Sequence, residues 1–261
     1  MSEPTVIHGE GAPRDLGLDQ GTACGDAIRE RIQRAGGRGD WLGRWRPFAP
    51  RGLERAEATA RDVRRHFPHL DERVIGLAAG AKVPEVALHH LLARELAGEG
   101  EGASLVAGFD DEGHLVVQTT DGGILRRVQP DAGFVSAEWT LPWLPGALAG
   151  VNRAGLAGAV VSATADEGGS CRAPAFLLLQ NCLAQFETAE NAAEWCDRRP
   201  AGGRAQILFG DANGDRAVVT IDGDKRFRSE PSGTVEASGP SVVLDARTHT
   251  IRPDGRSALE A

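Results

Sequence analysis

The residues of this chain that could do chemistry begin at a glycine-rich junction around residue 103. The junction reads Gly98-Glu99-Gly100-Glu101-Gly102-Ala103-Ser104-Leu105-Val106. The hydroxyl of Ser104 could attack a carbonyl carbon if a base stood beside it, whereas the methyl group of Ala103 has no atom that can do so. Helical patterns precede the junction and strand patterns follow it. We therefore expect any reactive group here to stand at the start of a strand.

A second set of polar residues follows the junction. Gln118, Thr119 and Asp121 come at the end of a predicted strand, where we expect Gln118 and Thr119 to contact a substrate. Asn152 begins the segment Asn152-Arg153-Ala154-Gly155. An aspartate could hold a new amino terminus, and an asparagine amide could donate to an oxyanion. Both also have a purely structural interpretation. Asp121 could be a turn aspartate before two glycines, and Asn152 could be a turn residue that tolerates left-handed backbone geometry.

An apolar, rigid segment contains Trp139, Pro142, Trp143 and Pro145. The two tryptophans could line a pocket for an acyl group, or they could belong to the core. The seven histidines are scattered along the chain, and we find no Ser-His-Asp arrangement among them. We expect the adjacent pair His89 and His90 to be packing or surface residues.

Composition excludes several classes of function. The chain has 261 residues and a formal net charge of −8, which argues against a nucleic-acid surface, and its arginines are mixed with acids as on a solvated face. No apolar run is long enough to cross a membrane. The four cysteines lack metal-ligand spacing, and no phosphate-loop lysine follows the glycine pairs. We expect no metal, no cofactor, reduced thiols and a cytoplasmic location.

The first hundred residues read as helices. Apolar spacing predicts one helix over Leu16–Ala35, a second over Leu53–His66, a third from Leu70 to Pro84 and a fourth over Pro84–Ala97. The segment before them, Met1–Gly11, is polar and acidic and does not resemble a signal peptide.

The second part of the chain reads mainly as strands. The predicted strands are Ser104–Phe109, His114–Thr119, Phe134–Thr140, Ala147–Val151, Leu156–Ala163, Ile207–Asp211, Ala217–Asp222, Lys225–Arg228 and Ser241–Leu244. Two helices interrupt them, Ala175–Phe186 and Thr188–Arg198, with Thr188 as the N-cap of the second. Strands, two helices and further strands indicate an α+β fold in which helices pack on antiparallel sheets.

Five segments carry a family resemblance. They are Gly11-Ala12-Pro13-Arg14-Asp15-Leu16-Gly17-Leu18-Asp19-Gln20-Gly21, Leu70-Asp71-Glu72-Arg73-Val74-Ile75-Gly76-Leu77-Ala78-Ala79-Gly80-Ala81, Val117-Gln118-Thr119-Thr120-Asp121, Gly150-Val151-Asn152-Arg153-Ala154-Gly155-Leu156-Ala157 and Gly210-Asp211-Ala212-Asn213-Gly214-Asp215. In this order they resemble the acyl-coenzyme A:6-aminopenicillanate acyltransferase family of the N-terminal nucleophile hydrolases. The resemblance implies a four-layered αββα sandwich.

The resemblance also implies a mechanism. Members of that family cleave themselves between a glycine and a cysteine, and the α-amine of the new cysteine activates its own thiol for acyl transfer. Matched to the family, Gly102 precedes the cut, Ala103 falls on the cysteine and Ser104 on the residue after it. The family route then lacks its nucleophile. Thr119 replaces the asparagine of a G-Q-N-x-D segment, Gln180 stands where many relatives have arginine, and a late T-N-H-F segment has no counterpart.

Three explanations of Ala103 stay open at this point. The site could be naturally altered, Ala103 could be an engineered replacement that traps a precursor, or Ser104 could be the nucleophile after a shift of one residue. The leading expectation is a divergent acyltransferase or amidase that acts on amide or thioester acyl groups of a small molecule or peptide. The alternative is a non-catalytic binding or scaffold protein, and self-association into a homo-oligomer stays open. Residues 1–102 would form a helical region and 103–261 a sheet-rich core, together one compact domain.

Overall fold

The structure is a computed structural model. It describes residues 5–36, 38–39, 45–46, 50–99, 105–109, 114–119, 123–162, 169–229, 241–245, 250–253 and 259–260. Seven helices lie within these ranges: α1 (Pro13–Ala23), α2 (Gly25–Arg34), α3 (Pro50–His66), α4 (Pro68–Ala81), α5 (Glu85–Leu96), α6 (Phe176–Gln185) and α7 (Ala189–Asp197).

Fifteen strands lie within the same ranges. They are β1 (Thr5–Gly11), β2 (Arg38–Gly39), β3 (Trp45–Arg46), β4 (Leu105–Phe109), β5 (Leu115–Thr119), β6 (Ile124–Pro130), β7 (Ser136–Thr140), β8 (Ala149–Asn152), β9 (Leu156–Ser162), β10 (Arg204–Asp211), β11 (Arg216–Asp222), β12 (Lys225–Ser229), β13 (Ser241–Asp245), β14 (Thr250–Pro253) and β15 (Leu259–Glu260). The strands predicted from the sequence are confirmed, with ends that shift by up to three residues. The predicted ends Ser104 and Ala163 lie outside the described residues, and β2, β3, β14 and β15 were not predicted.

Eight strands form one mixed sheet in the order β1-β6-β7-β8-β9-β10-β11-β12. Every pairing in it is antiparallel except that of β1 with β6, which runs parallel from Thr5↔Ile124 to Gly11↔Pro130. The sequence analysis predicted neither β1 nor β6. Most side chains of the edge strand β1 are exposed or half-buried, so its segment reads as a polar tail.

A second sheet of five strands, in the order β15-β14-β13-β5-β4, packs on β7, β8 and β9 of the large sheet. The other face of the large sheet carries helices, since Gln20 of α1 and Gln180 of α6 both bond to side chains of β6 or β7. The described residues thus form three layers: helices, the eight-stranded sheet and the five-stranded sheet. The fourth, helical layer of the predicted sandwich stays a prediction.

Helices α1 and α4 cross in close contact because glycines line both sides of the crossing. A Cβ atom on Gly17 would overlap the carbonyl oxygen of Arg73, and one on Gly76 would overlap that of Arg14. Gly21 and Gly80 meet the partner backbone in the same way. These glycines belong to two of the five segments that resemble the acyltransferase family, so those segments specify a helix crossing.

The single helix predicted over Leu16–Ala35 is wrong, because the structure has two helices there. Cys24 adopts the non-helical angles φ −108° and ψ 13°, and it ends α1 and begins α2. Gly21 and Gly25 flank the break, and glycine costs about 1 kcal/mol more than alanine in a helix interior. The apolar spacing continues across the break, which explains the prediction.

The core lies on both faces of the eight-stranded sheet. Cys182 and Cys196 are fully buried, as expected for small core residues, and their sulfur atoms lie 3.5 Å apart. Thr188 caps α7 by accepting from the Asn191 amide at 3.4 Å, as predicted. Within the residues that the structure describes, no helix is long and apolar enough to cross a membrane.

Candidate functional site

The residues that the sequence places at the reactive junction lie outside the described residues. These are Gly102, Ala103, Ser104 and Asp121. The strands next to them are described: β4 begins at Leu105, which pairs with Thr119 at the end of β5. Beyond the pairing of these strand ends, the roles predicted for the four residues stay predictions.

Gln118 and Thr119 lie on β5, and the structure describes their backbone. Gln118 pairs with Val106 of β4 on one side and with Ser241 of β13 on the other. Thr119 is thus at the end of an interior strand of the five-stranded sheet, next to the start of the edge strand β4. The substrate-binding role predicted for these two residues stays a prediction.

Asn152 is a fully buried residue whose amide is completely engaged. Its Nδ2 donates to the carbonyl oxygens of Leu183 and Phe186, both at 2.8 Å, and its Oδ1 accepts from the Leu156 amide at 2.9 Å. Gly155 completes the turn with φ of 99°. This geometry favours the turn role of Asn152 over the oxyanion role, because an amide has only two hydrogens to donate.

The Asn152 turn is linked to the far end of β4 through β10. Phe109, at the other end of β4, lies against Gly210 and against the Arg216 guanidinium, 4.9 Å from the ring centroid. Gly210 is adjacent to Asp211, which pairs with Leu156 just after the Asn152 turn. Leu105 is four residues from Phe109, about 13 Å along the strand. The prediction that Asn152 acts together with residues 103 and 104 stays a prediction.

The two tryptophans predicted to bind an acyl group point into different layers. Trp139 is buried and its ring lies against Gly123, two residues after Asp121 in the chain. It follows Glu138, whose side chain faces the helices, so alternation along β7 directs Trp139 toward the five-stranded sheet. Trp143 packs among the helices, where its Nε1 donates to Glu95 at 3.3 Å.

A buried ion pair lies between the large sheet and its helices. Nε of Arg126 on β6 donates to Oε2 of Glu138 on β7 at 2.5 Å, and both side chains are at most 2% exposed. The sequence analysis missed this pair, because it interpreted the arginines as a solvated face. The available signal was Glu138, which lies between the apolar residues Ala137 and Trp139 in β7.

This pair is completely satisfied by its neighbours. The two terminal nitrogens of Arg126 donate to Gln20 at 2.7 Å, to Gln180 at 2.8 Å and to the carbonyl oxygens of Leu144 and Pro145 at 3.2 and 3.3 Å. Glu138 Oε1 accepts from Ser136 and from Gln180, both at 2.7 Å.

These contacts set the charge state of Glu138. Burial alone would raise the pKa of Glu138, but the charges of Arg126 and Arg73 and the two hydrogen bonds to Oε1 lower it below its ordinary value. Glu138 is therefore ionised at neutral pH. Because the pair has no free donor or acceptor, we interpret it as a structural group of the helix–sheet interface.

Another buried pair joins α4 and α5. Nε2 of His89 lies 3.4 Å from Oδ1 of Asp71, and Oδ2 of Asp71 accepts from Nε of Arg64 at 2.9 Å. Burial lowers the pKa of the His89 ring, although Asp71 opposes this effect. His89 is thus a packing residue, as predicted, but its acidic neighbour was missed because the two are 18 residues apart in the chain.

The described residues contain few other groups that could form a functional site. No group of three or more histidine, cysteine or acidic residues among them could hold a metal ion. A groove of about 180 Å³ lies between α3 and α5 and is lined by Glu54, Thr59, Ala93 and Leu96 among others. This volume is below the roughly 300 Å³ at which ligand pockets begin.

Comparisons with known proteins give a distant structural similarity. No family model matches this chain, and no curated protein matches it. Penicillin V acylase from Agrobacterium tumefaciens is 17% identical, with 49% of each chain covered and a TM-score of 0.35. Two single-residue variants of conjugated bile acid hydrolase from Clostridium perfringens are each 15% identical, with a TM-score of 0.31.

The extent of these matches is limited. For the two hydrolase variants the match covers 48% and 49% of this chain and 50% of theirs. This chain therefore spans about half the length of the solved structures that it matches.

Proposed function

We propose that this chain is a divergent relative of the N-terminal nucleophile acyltransferases that binds an amide- or thioester-linked acyl group and does not cleave itself. One observation carries the proposal. The position matched to the family nucleophile lies two residues before β4 in the chain. β4 is an edge strand of the five-stranded sheet and packs on β9 of the large sheet. A side chain at the start of such a strand could reach the gap between the two sheets.

Two further observations support the proposal. Trp139 extends from β7 toward the five-stranded sheet, and its ring lies against Gly123. Gly123 follows Asp121 by two residues, so this apolar ring contacts a residue close in sequence to Asp121. The Arg126–Glu138 pair has all its donors and acceptors engaged, and is therefore a poor candidate for a competing reactive centre. The absence of self-cleavage follows from Ala103, which has no nucleophilic atom.

The test is the intact mass of freshly purified protein under denaturing conditions. We expect a single chain of 27.5 kDa. The variant Ala103→Cys should restore a thiol at the matched position, and we expect it to split into two fragments, the second beginning at residue 103. Ala107→Cys, which places a thiol further along β4, is the matched control and should stay intact.

Other outcomes separate the alternatives. Fragments of the unaltered protein that begin at Ser104, and their loss in Ser104→Ala, would establish the serine nucleophile instead. A folded Ala103→Cys variant that stays intact would show that the register of the match or the remaining machinery is wrong. If the unaltered protein stays whole, binds a thioester analogue and forms no acyl adduct, it is a binding protein.

A further inference from the structure

The helical layer contains a further buried arginine, Arg73, that forms no ion pair among the described residues. Arg73 on α4 is 3% exposed, and its Nε is enclosed without a hydrogen-bond partner among the described residues. Its charge acts on both members of the Arg126–Glu138 pair, so the three groups lie within electrostatic reach of one another. Two positive charges therefore share one carboxylate.

Glu138 cannot serve both arginines. Its Oε2 accepts from Arg126, and its Oε1 accepts from Ser136 and Gln180. The Arg126–Glu138 pair thus neutralises itself, and one unit of positive charge remains on Arg73. An unpaired buried charge costs several kcal/mol. Burial, followed by the charge of Arg126, lowers the pKa of Arg73 to about 9 although Glu138 opposes this effect, so Arg73 is still charged at neutral pH.

A second donor without a partner lies on the same helix. Nε2 of His69 is enclosed and makes no hydrogen bond among the described residues. His69 precedes Arg73 by four residues, so the two side chains lie on the same face of α4 one turn apart. His69 also lies beside Asn181 of α6, which indicates that this face is turned toward α6.

We propose that Arg73 and His69 hold a small monovalent inorganic anion, of the halide class, on the face of α4 that meets α6 and the Arg126–Glu138 pair. A single negative charge balances the remaining charge of Arg73. Gly76 and Gly80, which meet α1, follow Arg73 by three and seven residues on the same face of α4, so this close helix crossing favours a small ion over a phosphate-sized one. This inference does not depend on the proposed acyl-binding function.

The test uses the whole chain and bromide or chloride as the probe. The thermal midpoint should rise with halide concentration and saturate, relative to sodium isethionate at equal ionic strength. At tenfold excess over the dissociation constant we expect a rise of about 3 °C or more. Arg73→Met should abolish this response. Arg65→Met, which removes an exposed arginine from α3, is the matched control and should retain it.

Crystals grown with sodium bromide keep the inference testable if Arg73→Met fails to fold. We expect an anomalous peak within hydrogen-bonding distance of the Arg73 guanidinium. Bromide peaks only at exposed sites, equal thermal midpoints in halide and isethionate, or an undiminished halide response in Arg73→Met would each overturn the inference.

Discussion

Two of the three hydrogen bonds of Asn152 join the β8–β9 turn to the end of α6, and the third closes the turn itself. Its Nδ2 reaches the carbonyl oxygens of Leu183 and Phe186, which α6 leaves without helical donors at its C-terminal end. The asparagine at this position of the Gly150–Ala157 segment can thus be explained by its hydrogen bonds to the backbone alone. An oxyanion role for Asn152 would require it to release one of these carbonyls.

We expect Asn152→Ala to lower the free energy of unfolding by about 2–4 kcal/mol. The substitution leaves the Leu183 and Phe186 carbonyls and the Leu156 amide without their partner, and each unsatisfied buried group costs about 1–3 kcal/mol. Denaturant unfolding measures the change. Asn213→Ala, at an exposed hairpin turn, is the control and should have a small effect. Equal stability of the two variants would contradict the turn role.

We expect Glu138→Gln to lower the free energy of unfolding by about 3–5 kcal/mol at neutral pH. It removes the carboxylate and leaves the buried Arg126 without its countercharge. Glu194→Gln is the matched control, because Glu194 forms an exposed pair with Arg198 and such pairs contribute about 0.3–0.5 kcal/mol. The prediction fails if the two substitutions cost the same.

The Arg126–Glu138 pair also makes the free energy of unfolding depend on pH in the acidic range. The pKa of Glu138 is lower in the folded chain than the unfolded value of about 4.3, so its contribution is complete above that value and is lost as pH falls through the folded pKa. The difference between the unaltered protein and Glu138→Gln should therefore shrink below about pH 4. A difference that stays constant down to pH 3 would show that Glu138 does not titrate as inferred.

At the scale of elements, the crossing of α1 and α4 depends on residues with no side chain. Gly17, Gly21, Gly76 and Gly80 let the two backbones approach, and each forbids a Cβ atom at its position. Gln20 lies on α1, and its side-chain amide donates to the Pro142 and Leu144 carbonyls. The helix crossing therefore fixes the position of Gln20 relative to Arg126.

We expect Gly76→Ala to destabilise the protein by about 1–3 kcal/mol, although alanine favours a helix by about 1 kcal/mol over glycine. The new methyl group would overlap the Arg14 carbonyl, which is backbone and cannot move aside alone. Gly25→Ala is the control, since its Cβ would meet only the flexible end of Arg29 at 3.0 Å. Thermal unfolding that ranks Gly25→Ala as the less stable variant would refute the packing argument.

The sequence predicted most helices and strands, but not which side chains contact one another between them. Regular apolar spacing locates α3 to α7, and the turn at Asn152 follows from its residue types. β1 and β6 were missed because an edge strand with exposed side chains and a strand with consecutive arginines, Arg126 and Arg127, both read as surface. Partners such as Glu138 and Gln180 are set by tertiary packing, which local patterns do not encode.

At the scale of the molecule, residues of the first part of the chain (1–102) pair and form hydrogen bonds with residues of the second part (103–261). β1 forms an edge of the large sheet through its parallel pairing with β6, and Gln20 is bonded to Arg126 and to the loop after β7. These contacts join residues on both sides of the boundary predicted near residue 102. This arrangement agrees with the expectation of one compact domain, which stays a prediction.

We expect the two parts to remain together after a cut between them. A protease site introduced within residues 100–104 should yield two fragments on a denaturing gel that elute as one species from a native sizing column. The strand pairing of β1 with β6 and the helix crossing supply the contacts. Fragments that separate without denaturant would contradict this, and the unaltered chain treated with the same protease is the control.

The parallel pairing of β1 also bears on how the chain is made. Thr5 pairs with Ile124, so the partner of the first strand is synthesised 119 residues after it (124 minus 5). On a ribosome, β1 would leave the exit tunnel as an unpaired strand and wait for β6, and contacts of such long sequence separation form late. A growing chain of this protein is therefore open to attachment by other exposed strands, and assistance from a chaperone that shields the amino-terminal segment should raise the yield of folded protein.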